Sequence, residues 1–369
     1  MTRRLIGFGG AGLALLLLTL LLCLGIGSAK LPVSQITGIL VNHLPWLGET
    51  FTPDWNPSTE QIILKIRLPR VLLGMLVGAA LALAGAGFQG VLRNPLADPY
   101  TLGVSSGASV GAAVLIYWGL QFSFVGVWTL PLVAFTTGML TLWMVLTLAR
   151  EGAKIPTQSL ILSGVVMQSF LGAVVSFLTA MSKETVNEIL YWTMGSLSLR
   201  GWSYTGILLP YVVIGLVFLW NRARVLNILA LGERQAAHMG VNVDATKLSV
   251  LIISTLLTAA AVSVCGVIGF VGLVVPHIIR LVTGPDYRMI VPLSALGGAI
   301  FMAWADTAAR TLLAPTEIPL GVMTAFVGAP FFAYLLYRNK KLRRGDCCEG
   351  TKWTTGIASP GVGDCQSDS

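Results

Sequence analysis

The sequence predicts an all-α polytopic membrane protein with about ten transmembrane helices. Three observations predict it. The 369 residues are 55% hydrophobic and only 11% charged, too little polar surface to clothe a soluble globule of this length. Windows of the roughly 20 apolar residues that a spanning helix needs recur along the chain, separated by short polar connections. If the spans alternate from a cytoplasmic N-terminus, 17 of the 24 lysines and arginines lie on the inner side and 7 on the outer. The +8 formal charge is therefore a topology signal that places both termini in the cytoplasm, and the basic soluble domain that nucleic-acid binding would need is missing.

The expected spans are 5–28, 68–92, 100–120, 125–148, 156–181, 204–221, 246–265, 270–282, 290–313 and 318–337. Arg3 and Arg4 precede the first, whose apolar run is longer than a signal-peptide core, so it counts as a permanent span. The eighth is short. A membrane domain over 1–344 is expected, followed by a cytoplasmic tail, 345–369, with few large apolar residues and hence disordered. Cys23 and Cys265 fall in or at the ends of apolar spans as small hydrophobes, whereas Cys347, Cys348 and Cys365 lie in the tail, where no histidine accompanies them to suggest a metal site.

Four polar interruptions are too elaborate for simple turns. After the second span, the two prolines of RNPLADPYTLGVSSGASVG reverse the chain at the inner face, and glycine then recurs at four-residue spacing as Gly103, Gly107 and Gly111. With Ser105, Ser106 and Ser109 between them, these residues form a small-residue face suited either to close helix packing or to a translocation path. The letters GVSSG also match the G-x-S-x-G nucleophile elbow, with His277 as a conceivable base, but that motif needs a strand before the serine and a spanning helix is expected here.

The longest inner loop, 221–247, carries Val225, Leu226, Ile228, Leu229, Leu231, Ala236, Ala237 and Met239 in a pattern of short amphipathic helices broken near Gly232. Its mixed charges, with Glu233, Arg234 and His238 together, suit a protein partner's groove better than a lipid surface. On the outer side, Lys65, Arg67 and Arg70 stand where the positive-inside rule disfavours them; headgroup snorkelling explains one or two, an acidic docking partner a cluster. In the last third, Asp306 and Arg310 are spaced to pair on one helical face, which eases the cost of holding either near lipid. Deeply placed ionisable residues are otherwise scarce, unlike the relay of an ion-driven carrier.

Five stretches in order, NPLADPYTLGVSSGASVG, LGERQAAHMGVNV, GFVGLVVPHIIR, ADTAAR and EIPLGVMTAFVGAPFFAYLL, resemble the FecCD family, the permease subunits of type II ABC importers for iron-siderophores, haem and vitamin B12. The resemblance implies a type II ABC importer permease bundle in the inner (plasma) membrane, a homodimer around a central pathway, a cytoplasmic ABC ATPase dimer, and a periplasmic or lipid-anchored substrate-binding protein. It makes 226–241 the ATPase-coupling helix, with Leu226, Leu231, Gly232, Glu233, Arg234, Ala236, Gly240 and Val241 as its residues. It assigns Arg67, Arg70 and Arg310 to docking of the binding protein. Where many members read Gly-Pro-Ile, this chain has Gly266, Val267 and Ile268.

No catalytic residue, metal site or cofactor is expected on this chain. It contains no G-x-x-x-x-G-K-[ST] segment, so ATP and Mg belong on the partner ATPase. The expected function is permeation of a ferric siderophore, haem or related large metal chelate. An ion-coupled secondary transporter and an intramembrane serine hydrolase stand as alternatives.

Overall fold

The computed structural model describes residues 2–27, 31–43, 55–152, 154–198 and 200–350. The chain is a bundle of helices: α1 (Thr2–Gly25), α2 (Val33–Asn42), α3 (Pro57–Gln61), α4 (Leu68–Leu92), α5 (Val104–Trp118), α6 (Thr129–Ala149) and α7 (Thr157–Met181). There follow α8 (Val186–Met194), α9 (Trp202–Ala230), α10 (Glu233–His238), α11 (Val243–Cys265), α12 (Val271–Thr283), α13 (Tyr287–Thr311) and α14 (Leu320–Gly350). Among the described residues seven helical segments are long and apolar enough to cross a membrane, and three expected spans are shorter helices: α5, α12 and the apolar part of α14, Leu320–Leu335.

α4 is the axis. In its apolar window 89% of residues are buried, against 72% for α11, 67% for α13 and 6% for α1, so α11 and α13 flank the centre and α1 lies at the edge. Glycine lets the central helices touch backbone to backbone. A Cβ on Gly78 would lie 2.1 Å from the Gly298 carbonyl oxygen of α13, and one on Gly85 would lie 1.8 Å from the Gly272 carbonyl oxygen of α12. Packing by small residues is the main cohesion available where lipid removes the hydrophobic drive between helices.

Several helices are broken within the apolar layer. Gly272, at the start of α12, lies against Leu81 of α4 and Pro99, and Leu81 is about 20 Å along α4 from its first residue. Thus 93–103 climbs back into the bundle before α5 begins, which explains why α5 has only 15 residues. The second break, 266–270, is stitched to the first by Tyr100, whose hydroxyl donates to the Ile268 carbonyl (2.8 Å) and accepts from the Ile268 N–H (3.2 Å). The third, after α8, is joined by Ser196 N–H to the Cys265 carbonyl (2.7 Å), and Leu320 N–H reaches the Gly195 carbonyl (3.0 Å). Gly195 and Gly266, at φ +77° each, approach so closely that a Cβ on Gly266 would lie 2.1 Å from the Trp192 carbonyl oxygen. Val267, between Gly266 and Ile268, points its carbonyl at Gly195 and Gly321.

The structure departs from the sequence-based expectation in four places. α2 and α8 occupy connections, because each is too short to register as a span. The helical rod containing α4 starts at Pro57 rather than 68, passing through a π-helical turn, Ile62–Arg67, that ends two residues before Pro69. α9 continues to Ala230, so the first half of the 221–247 loop is not a separate helix: Ala223, Leu226 and Leu229 keep its inward face buried. Helix α14 extends to Gly350, which covers the first residues of the expected tail, and 351–369 lie outside the described residues. Residues 326–350 belong to a unit of their own, the rest of α14, with Pro330 inside it and an edge-on contact of Phe331 with Phe332.

Two substitutions test this packing. Gly85→Ala and Gly78→Ala each place a methyl inside a neighbouring carbonyl, so each should cost about 1–3 kcal/mol or more and lower the thermal unfolding temperature of the purified protein. Gly172→Ala meets nothing within 4 Å and serves as the control. Equal unfolding temperatures for all three would disprove the backbone contacts.

Candidate functional site

Two polar constellations sit at opposite ends of α4. At one end, Gly232 (φ +126°), in a conformation that disfavours any side chain, turns the chain from α9 into α10. Ala236 is fully buried and seats α10 on the bundle, while Leu231 (64% exposed), Arg234, Gln235, His238, Met239 (61%) and Gly240 face outward. Leu226 faces inward from α9, and Val241, half-buried, donates its N–H to the Ala236 carbonyl to close the turn.

Glu233 fastens α10 to three other parts of the molecule. Its Oε1 lies 2.7 Å from Lys247 Nζ on α11 and 3.3 Å from Arg93 Nη2 at the end of α4, and it accepts from Thr157 Oγ1 at the start of α7 (3.3 Å). Lys247 also donates to Thr157 Oγ1, and its side chain is only 4% exposed. Burial opposes ionisation of Glu233, but Lys247 and Arg93 outweigh it and hold the carboxyl below its ordinary value. A second staple secures the extension of α9. Asn227 Nδ2 donates to Asp286 Oδ1 (2.6 Å) and its Oδ1 accepts from Tyr287 N–H (2.8 Å), at the start of α13. Beside α10 an open hollow of about 530 Å³ is lined by Arg93, Thr157, Gln158, Glu233, Arg234 and Gln235.

At the other end, Arg70 of α4 makes a forked contact with Asp306 (Nη2 to Oδ1 2.9 Å, Nε to Oδ1 3.1 Å) and a second with Glu317 (2.8 and 3.0 Å). The expected Asp306–Arg310 pair is present at 3.1 Å, and Ser198 donates to Glu317. Hydrogen bonds from Arg70 lower the Glu317 pKa, against the opposing effect of burial, with Ser198 assisting. Arg67 Nη1 donates to the Leu24 carbonyl (2.8 Å) and Arg310 Nη2 to the Cys23 carbonyl (3.3 Å). Two guanidinium groups therefore cap the carboxyl end of α1, where unpaired carbonyls and the helix dipole attract a cation. Arg67 and Arg70 of the cluster disfavoured by the positive-inside rule are thus compensated inside the chain, whereas Lys65 is exposed, and Arg67, Arg70 and Arg310 are all largely buried. Arg70's partner Glu317, in the connection before α14, was not foreseen because no helical spacing ties the two together.

The glycine ridge is occupied by packing. A Cβ on Gly107 would lie 1.9 Å from Thr141 Oγ1, and one on Gly111 would lie 2.3 Å from Thr137 Oγ1, both on α6. Gly103 (φ +73°) opens α5 and faces Gln168 and Gly164 of α7. Ser105 and Ser109 are buried and Ser106 is half-buried. A 3-10 turn, Pro99–Leu102, precedes Ser105, rather than the strand a nucleophile elbow requires. Among the described residues no three His, Cys, Asp or Glu side chains come together as metal ligands. Cys23 and Cys265 are buried free thiols.

A bundle of broken helices of this kind has a solved counterpart. The chain superposes on the structure described as an inward-facing conformation of a metal-chelate type ABC transporter, with a TM-score of 0.78 and 31% identity over 92% of this chain and 100% of that one. It is 47% identical to the cobalamin import system permease protein BtuC of Halobacterium salinarum, over 87% of each chain. It is 40% identical to the hemin transport system permease protein HmuU of Yersinia pestis, over 89% of this chain and 96% of that one. The class is therefore that of ABC transporter permease subunits. Residues 15–338 match the FecCD transport family, and the chain belongs to it.

The two acids give a pH test with a definite sign. Both are held below the ordinary glutamate value of about 4.3, so their ion pairs support the fold at neutral pH and that support is lost only as pH falls through the lowered folded values. Amide protection of α10, read by hydrogen exchange, should persist as pH falls from neutral to the ordinary carboxylate range and decline below it. Glu233→Gln should remove that protection at neutral pH as well. Unchanged protection in the variant would show that Ala236 alone seats the helix.

Proposed function

We propose that this permease works as a homodimer in the inner membrane, with both termini cytoplasmic, and imports a ferric siderophore, haem or a related large metal chelate. ATP and Mg bind a separate ABC ATPase dimer, and this chain carries neither chemistry nor cofactor. The observation that carries the proposal is α10 with the bends on either side of it: an outward face with exposed Leu231, Arg234 and Met239, anchored by Ala236 and Glu233 to the ends of α4, α7 and α11. Such a helix transmits force from a soluble partner into the bundle and has no evident purpose against lipid alone. Leu226, Gly232, Gly240 and Val241 serve the coupling by shaping its seat and its two bends. The ATPase is the motor that shifts the bundle between outward and inward openings.

The binding protein docks at the Arg70 end. The internal pairing of Arg67, Arg70 and Arg310 supports a role in which they hold the end of α1 and the connection bearing Glu317 as a firm surface. Cargo in the range of the relatives, whose names give cobalamin and hemin, suits a pathway in which side chains with ionised groups are few. An ion-coupled carrier is disfavoured because Asp306 is committed to two arginines.

The test uses the purified permease with its ATPase and binding protein in liposomes. Leu231→Asp and Met239→Asp alter only exposed positions, so both should leave the fold intact, reduce ATPase copurification at least about tenfold, and abolish ATP-driven uptake. Hemin, cobalamin and a ferric hydroxamate, offered in turn, identify the cargo. Full uptake by either variant, or uptake that follows the proton gradient without ATP, would refute the proposal.

A further inference from the structure

An apolar groove of about 490 Å³ lies between α6, α9 and α11, toward the Arg70 end of the bundle. Its volume is within the roughly 300–1,000 Å³ of small-molecule sites. Trp128, Pro131 and Phe135 form one wall, Ile207 and Tyr211 the other, and Ser263 of α11 lies in the floor. The wall from Trp128 to Phe135 runs about 10 Å along the helix direction. The floor is hollow because α11 presents small residues there, and the Ser263 hydroxyl is already spent on the Ala260 carbonyl (2.9 Å), which leaves the lining effectively apolar. Phe124 at the mouth is 87% exposed.

A cation stands at the head of this groove. Arg200 Cζ lies 4.8 Å from the centre of the Tyr204 ring and its Nη1 donates to the Tyr204 hydroxyl (3.0 Å). The Tyr204 ring in turn packs 4.5 Å from Trp128. Arg67, Arg70 and Arg310, at the same end, are compensated by carboxylates or helix carbonyls, whereas among the described residues no acidic side chain pairs with Arg200. Its Nε is buried with no hydrogen-bond partner. Tryptophan and tyrosine at this level mark the headgroup boundary of a bilayer, where phosphate is the abundant anion.

We propose that this groove is a lipid site: it seats one acyl chain of a phospholipid from the leaflet at the Arg70 end, with the lipid phosphate on Arg200. The apolar trough supplies the tail's contacts, and the half-exposed Arg200 guanidinium, which no acidic side chain among the described residues neutralises, supplies a charge-assisted hydrogen bond to the head through its outer N–H groups. The site is separate from the α10 face, and its occupancy bears on how α6 and α9 sit against α11.

Native mass spectrometry of the full chain in mild detergent tests the site, with dioleoyl phosphatidylglycerol and dioleoylglycerol titrated separately. The wild type should retain one phosphatidylglycerol per chain and bind dioleoylglycerol at least about tenfold more weakly. Arg200→Gln should lose that preference and Arg200→Lys should keep part of it. Ser263→Leu, which fills the floor, should weaken both lipids. Equal binding of the two lipids by the wild type would overturn the proposal, and that comparison needs no variant to fold. The proposal also fails if phosphatidylglycerol binding is undiminished in Arg200→Gln or Ser263→Leu, if hemin displaces the lipid, or if Trp128→Cys cross-links two copies across the groove.

Discussion

Inside a bilayer every backbone N–H and carbonyl must find its partner within the protein, and this constraint governs the whole bundle. The chain nevertheless interrupts its helices well inside the apolar layer, around Tyr100, Gly195, Ile268 and Leu320. These interruptions are tolerable because they are placed against one another. Tyr100 supplies both a donor and an acceptor to Ile268, Ser196 reaches Cys265, and Leu320 reaches Gly195. Each break satisfies another, so removing one would leave unpaired groups in several helices at once. Glycines at positive φ allow the close approach, and their positions follow from the meeting of the breaks.

α4 links the two polar ends. Arg70 near one end binds Asp306 and Glu317, and Arg93 at the other binds Glu233. Between them the helix is buried and touches α12 and α13 through glycines with no room for a methyl group. A close-packed rod of this kind passes displacement along its length rather than absorbing it. In the proposed function, the small helix α10 acts on that rod from one side and the binding protein meets its far end.

Much of this was legible in the sequence because burial in lipid leaves a strong apolar signal. The end of α4 at Leu92, the ends of α7 at Met181 and of α11 at Cys265, and the pairing of Asp306 with Arg310 all follow from local pattern. What escaped depends on distant partners. Lys247 looks like an ordinary inner-side lysine until α7 and α10 bring Thr157 and Glu233 to it. Arg67 looks misplaced until the carbonyls of α1, some forty residues earlier, are seen beneath it. The glycine spacing of α5 suited either close packing or a translocation path, and only the structure identifies Thr137 and Thr141 as what it packs against.

The cap on α1 also orders events during synthesis. This first helix packs on one side against α13 and leaves most of its surface open, and its carboxyl end is held by Arg67, which follows soon after it, and by Arg310, which the ribosome adds close to the end of the membrane domain. Because chains fold from the N-terminus as they are made, α1 gains the Arg67 contact early and the Arg310 contact only after α13 is inserted. Its own leucine-rich surface sustains it through that interval. A helix made before α4 thus completes its cap only with α13.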